Sequence, residues 1–157
     1  MNRVFEDFVV VALREVLGVS DHVFPQAAKG RELFLDSARR VSLEPDLSWW
    51  DRGSCAFVGD VKYKALSESG VIHPDLYQLL SYVIACGLPG GLLVYGSGGE
   101  ALTRNIERAG RRLEVVSLNL SSPPEQILRS VADLAEVVRT LRVRTSNYDR
   151  QLTPAAS

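Results

Sequence analysis

Residues 55–63, CAFVGDVKY, constrain the fold more than any other stretch. The run opens apolar on both faces, as a strand does in the middle of a sheet covered on two sides. Such a strand needs layers above and below it, so the rest of the chain has to supply helices for both faces. The run then admits Asp60 and Lys62 where apolar residues are expected. Strand alternation places Val58, Asp60, Lys62 and Lys64 on one face, and Phe57, Gly59, Val61 and Tyr63 on the other. Asp60 and Lys62 then point the same way, roughly 7 Å apart along the strand.

The partner strand is expected at residues 40–49, joined through a hairpin turn at Asp51-Arg52-Gly53-Ser54. Pro45 interrupts it. A proline cannot donate to a ladder, so an edge or a bulge is expected there, and a bulge would re-aim Asp46. If Asp46 and Asp60 face the same side, their carboxylates can share a divalent cation, and hard oxygen ligands suit Mg²⁺ or Mn²⁺. Lys62 could then orient a water or neutralise charge on a phosphodiester. The alternative is a solvated strand face, which fits an edge strand better than this apolar one.

Residues 3–17 have helical period, with Phe5, Phe8, Val9, Ala12 and Val16 in one stripe, extended by Val10, Leu13 and Leu17. Glu6 lies within about 40° of Val10, Leu13 and Leu17 on the helical wheel. It is either a carboxylate aimed at a core edge or a first-turn acid favoured by the helix dipole. Residues 19–30 read as a loop with a short strand near His22–Phe24, and 32–36 as a strand. Residues 65–72 read as a loop. Residues 74–86 form a helix opened by Pro74 and Asp75 and stopped by Gly87, with Leu76, Leu79, Leu80, Val83 and Ile84 as its core stripe. Gln78 and Tyr82 are i, i+4 neighbours on another flank.

Residues 91–95, wholly apolar, suit a buried strand parallel to its neighbour. Residues 101–108 and 112–119 read as two strands joined by a turn at Ala109-Gly110-Arg111, with a helix over 100–109 as the alternative. A capping box at Ser122–Glu125 opens a helix to about 141. The expectation is a mixed α/β sheet flanked by helices, in one domain over residues 1–141, with 142–157 as a disordered tail.

A chain of 157 residues suits a single core. The net charge of −1 gives no bulk basicity for gripping nucleic acid unaided. Cys55 and Cys86 are far apart in sequence without CxxC spacing, which argues against a zinc or iron–sulfur site and favours two small apolar side chains over a disulfide. No signal-peptide pattern and no membrane-length apolar run is present, so a reduced, cytoplasmic protein is expected.

Glu44-Pro45-Asp46 followed by Gly59-Asp60-Val61-Lys62 resembles the PD-(D/E)xK motif of the restriction-endonuclease-like superfamily, and Gln78-xxx-Tyr82 resembles the QxxxY motif of a subset of it. The longer string, residues 60–64 (DVKYK), 75–82 (DLYQLLSY) and 92–95 (LLVY), is similar to the nuclease domain of McrC, the cleavage subunit of the McrBC 5-methylcytosine-specific restriction system. The likeness covers most of residues 3–120. It implies a restriction-endonuclease-like αβββαβ core with an added C-terminal hairpin and helix. It also implies a Mg²⁺- (or Mn²⁺-) dependent DNA endonuclease in a restriction or phage-defence system. Asp46 and Asp60 would ligate the metal, Glu6 would complete the acidic cluster, Lys62 would serve the attacking water, and Gln78 and Tyr82 would position the site or the DNA backbone.

McrC-type proteins work with a GTP-driven AAA+ motor. This chain carries no GxxxxGKS/T loop, so a motor would come from a separate, McrB-like subunit. DNA and a homo-oligomer complete the expected partners. The competing readings are a RecB-like repair nuclease and a catalytically silent nuclease fold kept as an interaction module.

Overall fold

The computed structural model describes residues 3–66 and 71–152. In chain order the elements are α1 (Arg3–Leu17), β1 (Leu33–Phe34), β2 (Ser42–Leu43), β3 (Leu47–Asp51), β4 (Ser54–Leu66), α2 (His73–Ala85), β5 (Gly90–Gly98), β6 (Leu102–Ile106), β7 (Arg111–Ser117) and α3 (Pro124–Leu152). Five strands form one mixed sheet in the order β3-β4-β5-β7-β6. The β3/β4 and β6/β7 pairs are antiparallel, and β5 lies parallel to β4 on one side and β7 on the other. This is the α/β, restriction-endonuclease-like arrangement implied by the sequence, although the C-terminal hairpin is no appendage. Through β7 it completes the main sheet.

The alternation of β4 sorts the core into two halves. Val58 packs with Leu79, Tyr82 and Val83 of α2, with Leu93 and Tyr95 of β5, and with Leu113 and Val115 of β7. Phe57 and Val61 pack on the opposite face with Phe5, Val9, Val10 and Leu13 of α1 and Leu134, Val138 and Leu141 of α3. Both β4 and β5 are therefore covered on two sides, as their apolar runs required. Gly91 lets α2 approach closely: a Cβ there would meet Val83 Cγ2 at 2.7 Å and Leu79 Cδ1 at 3.0 Å.

The hairpin at Arg52-Gly53 has both central residues at positive φ, 50° and 82°, the tight two-residue turn that matches strand twist. Pairing starts at Leu47 opposite Gly59, so β3 is an edge strand that begins just past Pro45. The irregularity in this ladder falls between Trp49 and Trp50, away from Pro45.

Several expectations need correction. Residues 22–24 form turns, followed by a 3₁₀ turn at Gln26–Ala28, and not a strand. The strand expected at 40–49 is two pieces, and β1 and β2 make their own small sheet off the main one. Phe8 and Val16 are 36% and 40% exposed, because the stripe that faces the sheet is Phe5, Val9, Val10 and Leu13. Ile84 is likewise exposed, since α2 turns Asp75 and Tyr82 inward in its place.

The last helix does not end near 141. It continues to Leu152 with Leu141 and Thr145 buried. Arg142 reaches Asp51 and lies over the Trp49 ring, and Arg111 lies over Tyr148. Residues 142–152 are therefore helix where a tail was expected, and 153–157 fall outside the described residues, as do 67–70 of the loop expected at 65–72. Cys55 and Cys86, distant in sequence, meet where β4 begins and α2 ends, and both thiols are free. No helix among the described residues is long and apolar enough to cross a membrane.

Candidate active site

Pro45 opens the site. Carried on by two residues, the β3 ladder would place Pro45 opposite Val61, but pairing stops at Leu47 and leaves the Val61 N–H without a backbone acceptor from β3. Asp46 takes over this position with its side chain: its Oδ2 accepts the Val61 N–H at 2.8 Å. Beyond that point β4 runs on paired with β5 alone, and its free edge becomes one wall of a cleft of about 910 Å³. Glu6, Asp46, Asp60, Lys62, Gln78 and Tyr82 all line it. The six residues singled out from sequence thus converge from α1, the β3 approach, β4 and α2.

Asp60 is 2% exposed. Gly59 before it lets the sheet close tightly, since a Cβ there would meet the Leu92 carbonyl oxygen at 2.9 Å and Leu47 Cδ1 at 3.2 Å. Asp46 lies within hydrogen-bonding reach of Asp60. Burial first, then that contact and the Asp60 charge, push the Asp46 carboxyl up to about 8. The Lys62 ammonium sits 2.7 Å from Asp60 Oδ2, but out of line for a hydrogen bond. This buried oxygen is thus held by an ion pair and has no well-aligned hydrogen-bond donor among the described residues. A proton retained on Asp46 lets the two carboxylates share a hydrogen bond, and a cation between them would take that proton's place. This is the donor chemistry that Mg²⁺ or Mn²⁺ requires. Among the described residues no three His, Cys, Asp or Glu side chains draw together into a ready cage, so the fit is that of a carboxylate pair with Glu6 at its flank.

Glu6 is half-buried, and burial followed by repulsion from Asp60 raises its pKa. It is both the first-turn acid of α1 and a wall of the cleft. Burial pulls the Lys62 ammonium down, but its contact with Asp60 and the charges of Asp75 and Asp46 outweigh this and leave it raised, so it is cationic at neutral pH.

The tether on Lys62 comes from α2. Lys62 Nζ donates to Gln78 Oε1 at 2.7 Å, Gln78 Nε2 donates to Tyr82 Oη at 2.8 Å, and Tyr82 Oη donates to the Glu44 carbonyl at 3.4 Å. One chain of bonds thus runs from the β4 lysine through one turn of α2 to the segment that carries Asp46. Burial, then the charges of Asp60 and Asp46, keep the Tyr82 hydroxyl protonated.

A second polar group beside this one was not foreseen. Buried Asp75 accepts Tyr95 Oη–H at 2.7 Å and takes Lys64 Nζ at 2.9 Å from Oδ2. Strand alternation already put Lys64 on the face of Asp60, but Asp75 read as an ordinary helix-start acid and Tyr95 as part of an apolar run.

The fold and cleft define an α/β domain with a carboxylate pair, Asp60 buried and Asp46 half-buried, and a tethered lysine where its edge strand stops. A family model described as "McrBC 5-methylcytosine restriction system component" matches residues 1–96, which run from α1 through most of β5 and include all six candidate residues. The match covers more than half of the chain, and the chain belongs to that family. No curated protein matches it.

Proposed function

We propose that this chain is the DNA-cleaving module of a restriction system, a divalent-metal-dependent endonuclease. The observation that carries the reading is the pairing of half-buried Asp46 with buried Asp60, with Lys62 at 2.7 Å from Asp60, set in an open cleft. Asp46 and Asp60 would hold Mg²⁺ or Mn²⁺, with Glu6 beside them. A bound ion of this kind supplies an acidified water and neutralises charge on phosphate oxygens.

The chain's own residues have separate tasks. Lys62, cationic and fixed by Gln78, presents its ammonium to the phosphodiester, where it orients the attacking water and offsets the charge of the pentacovalent phosphate. Tyr82 and the Glu44 carbonyl hold Gln78 in place, so their contribution is to the position of Lys62. With a net charge of −1, the module depends on other surfaces for DNA affinity, and the family supports partners. An AAA+ GTPase subunit and self-association are the expected routes, in the cytoplasm where the target DNA lies.

The test is conversion of supercoiled plasmid by the purified chain with Mg²⁺ or Mn²⁺, with and without its motor subunit. Asp60→Asn and Lys62→Met should each reduce the rate by roughly 10²–10³-fold, the usual cost of one transition-state contact. Metal-dependent conversion that both variants retain would refute these assignments. The absence of conversion under every condition would favour a silent interaction module.

A further inference from the structure

Lys64 stands two residues beyond Lys62 on β4, where the strand slips its register with β5 between Lys62 and Ala65, and it lines the same cleft. Its side chain is 42% exposed, yet its ammonium is fixed from behind. Asp75 Oδ1 accepts it at 3.2 Å and Asp75 Oδ2 lies 2.9 Å away. An ammonium has three donors, so a lysine that engages one carboxylate keeps a donor for the cleft.

The support behind Lys64 is more elaborate than a surface ion pair requires. Asp75 is 6% exposed and Tyr95 is fully buried. Tyr95 Oη donates to Asp75 at 2.7 Å and accepts the Ile72 N–H at 3.2 Å. The network thus joins β4, β5 and the start of α2, and among its described side chains Lys64 reaches solvent while Asp75 and Tyr95 are buried. Two residues of extended chain span at most about 7 Å, so the backbone positions of Lys62 and Lys64 lie within that distance across the irregularity in β4. This is comparable to the separation of successive phosphates on one DNA strand.

We propose that Lys64, held by Asp75 and Tyr95, is a second phosphate-binding subsite. It takes a phosphodiester next in line to the one at Asp60 and Lys62, and so sets the register of the DNA strand in the cleft. This rests on the nuclease reading for the identity of the ligand. Asp75 and Tyr95 are positioning residues in it, and Lys64 makes the contact.

The test is fluorescence anisotropy of a labelled short duplex DNA against the intact chain in EDTA, across a range of salt concentrations. Lys64→Met should weaken binding several-fold and reduce the slope of log affinity on log salt by about 0.9, the value of one phosphate contact. Lys64→Arg should restore most of both. Lys64→Met combined with Asp75→Asn leaves no buried charge unpaired, so it separates a lost contact from a misfolded strand, and it should show the same slope as Lys64→Met.

A wild-type slope in both methionine variants would overturn the subsite, as would an absence of salt-dependent duplex binding by the wild-type chain. Failure of the nuclease reading would look different: DNA bound by the wild-type chain, with the Lys64 effect intact, but not cut when metal is added.

Discussion

At Asp46 a proton and the proposed cation would compete for one place. Its carboxyl is held near 8 against an ordinary value of 3.8, so the folded chain binds that proton more tightly than the unfolded chain does. The sign follows: the contribution of Asp46 to stability is greatest at low pH and is lost as pH rises from about 4 through about 8. Metal-free wild-type protein should therefore lose stability relative to Asp46→Asn between pH 5 and pH 8, as measured by thermal unfolding in EDTA. A constant difference between the two proteins over that range would show that Asp46 does not hold the proton. Asp46 was conspicuous in the sequence because Pro45 precedes it. What its carboxylate does there, accepting the Val61 N–H that the edge strand leaves free, depends on where pairing stops and could not be read from spacing.

At the scale of elements, α2 matters as much as the strands that bear the acids. It presents Gln78 and Tyr82 to Lys62 and packs onto the sheet over Gly91. Gly91→Ala would force a methyl group to within 2.7 Å of Val83. Overpacking of this kind costs about 1–3 kcal/mol, and lifting α2 also displaces Gln78. The variant should show a lower melting temperature together with slower cleavage, and an unchanged melting temperature would contradict the close packing. The i, i+4 spacing of Gln78 and Tyr82 was legible in the sequence. The inward turn of Asp75 and Tyr82 was not, because hydropathy assigns the buried face of a helix to Ile84 before it assigns it to a carboxylate. The separate β1/β2 sheet was hidden for a similar reason. Two-residue strands have no period to detect, and residues 40–49 read as continuous until the pairing is known.

For the whole molecule, the two-sided burial of β4 and the alternating faces were readable because they follow from residue type and a period of two. The end of α3 was not. Beyond Leu141 the helix is held by Thr145, by Arg142 over Trp49 with its ion pair to Asp51, and by Tyr148 beneath Arg111. These are polar and aromatic contacts with distant strands, and they leave no apolar stripe. Arg142→Ala removes the ring contact and should cost about 0.5–1 kcal/mol in chemical denaturation, as exposed cation–π pairs do. A variant as stable as wild type would mean that the helix end is not anchored there. The family match spans residues 1–96, so the part of the chain that bears the candidate site is also the part that carries the family likeness, and β6, β7 and α3 complete the sheet and core around it.

The central claim is that Asp46 and Asp60 together form a divalent-cation site. It is tested most directly by calorimetric titration of Mn²⁺ into the chain at pH 7 in two buffers of different ionisation heat. One ion should bind, with a proton released from Asp46 that makes the measured heat depend on the buffer, and both signals should vanish in the Asp46→Asn, Asp60→Asn double variant. No saturable uptake by the wild-type chain, or the same uptake by the double variant, would contradict the account.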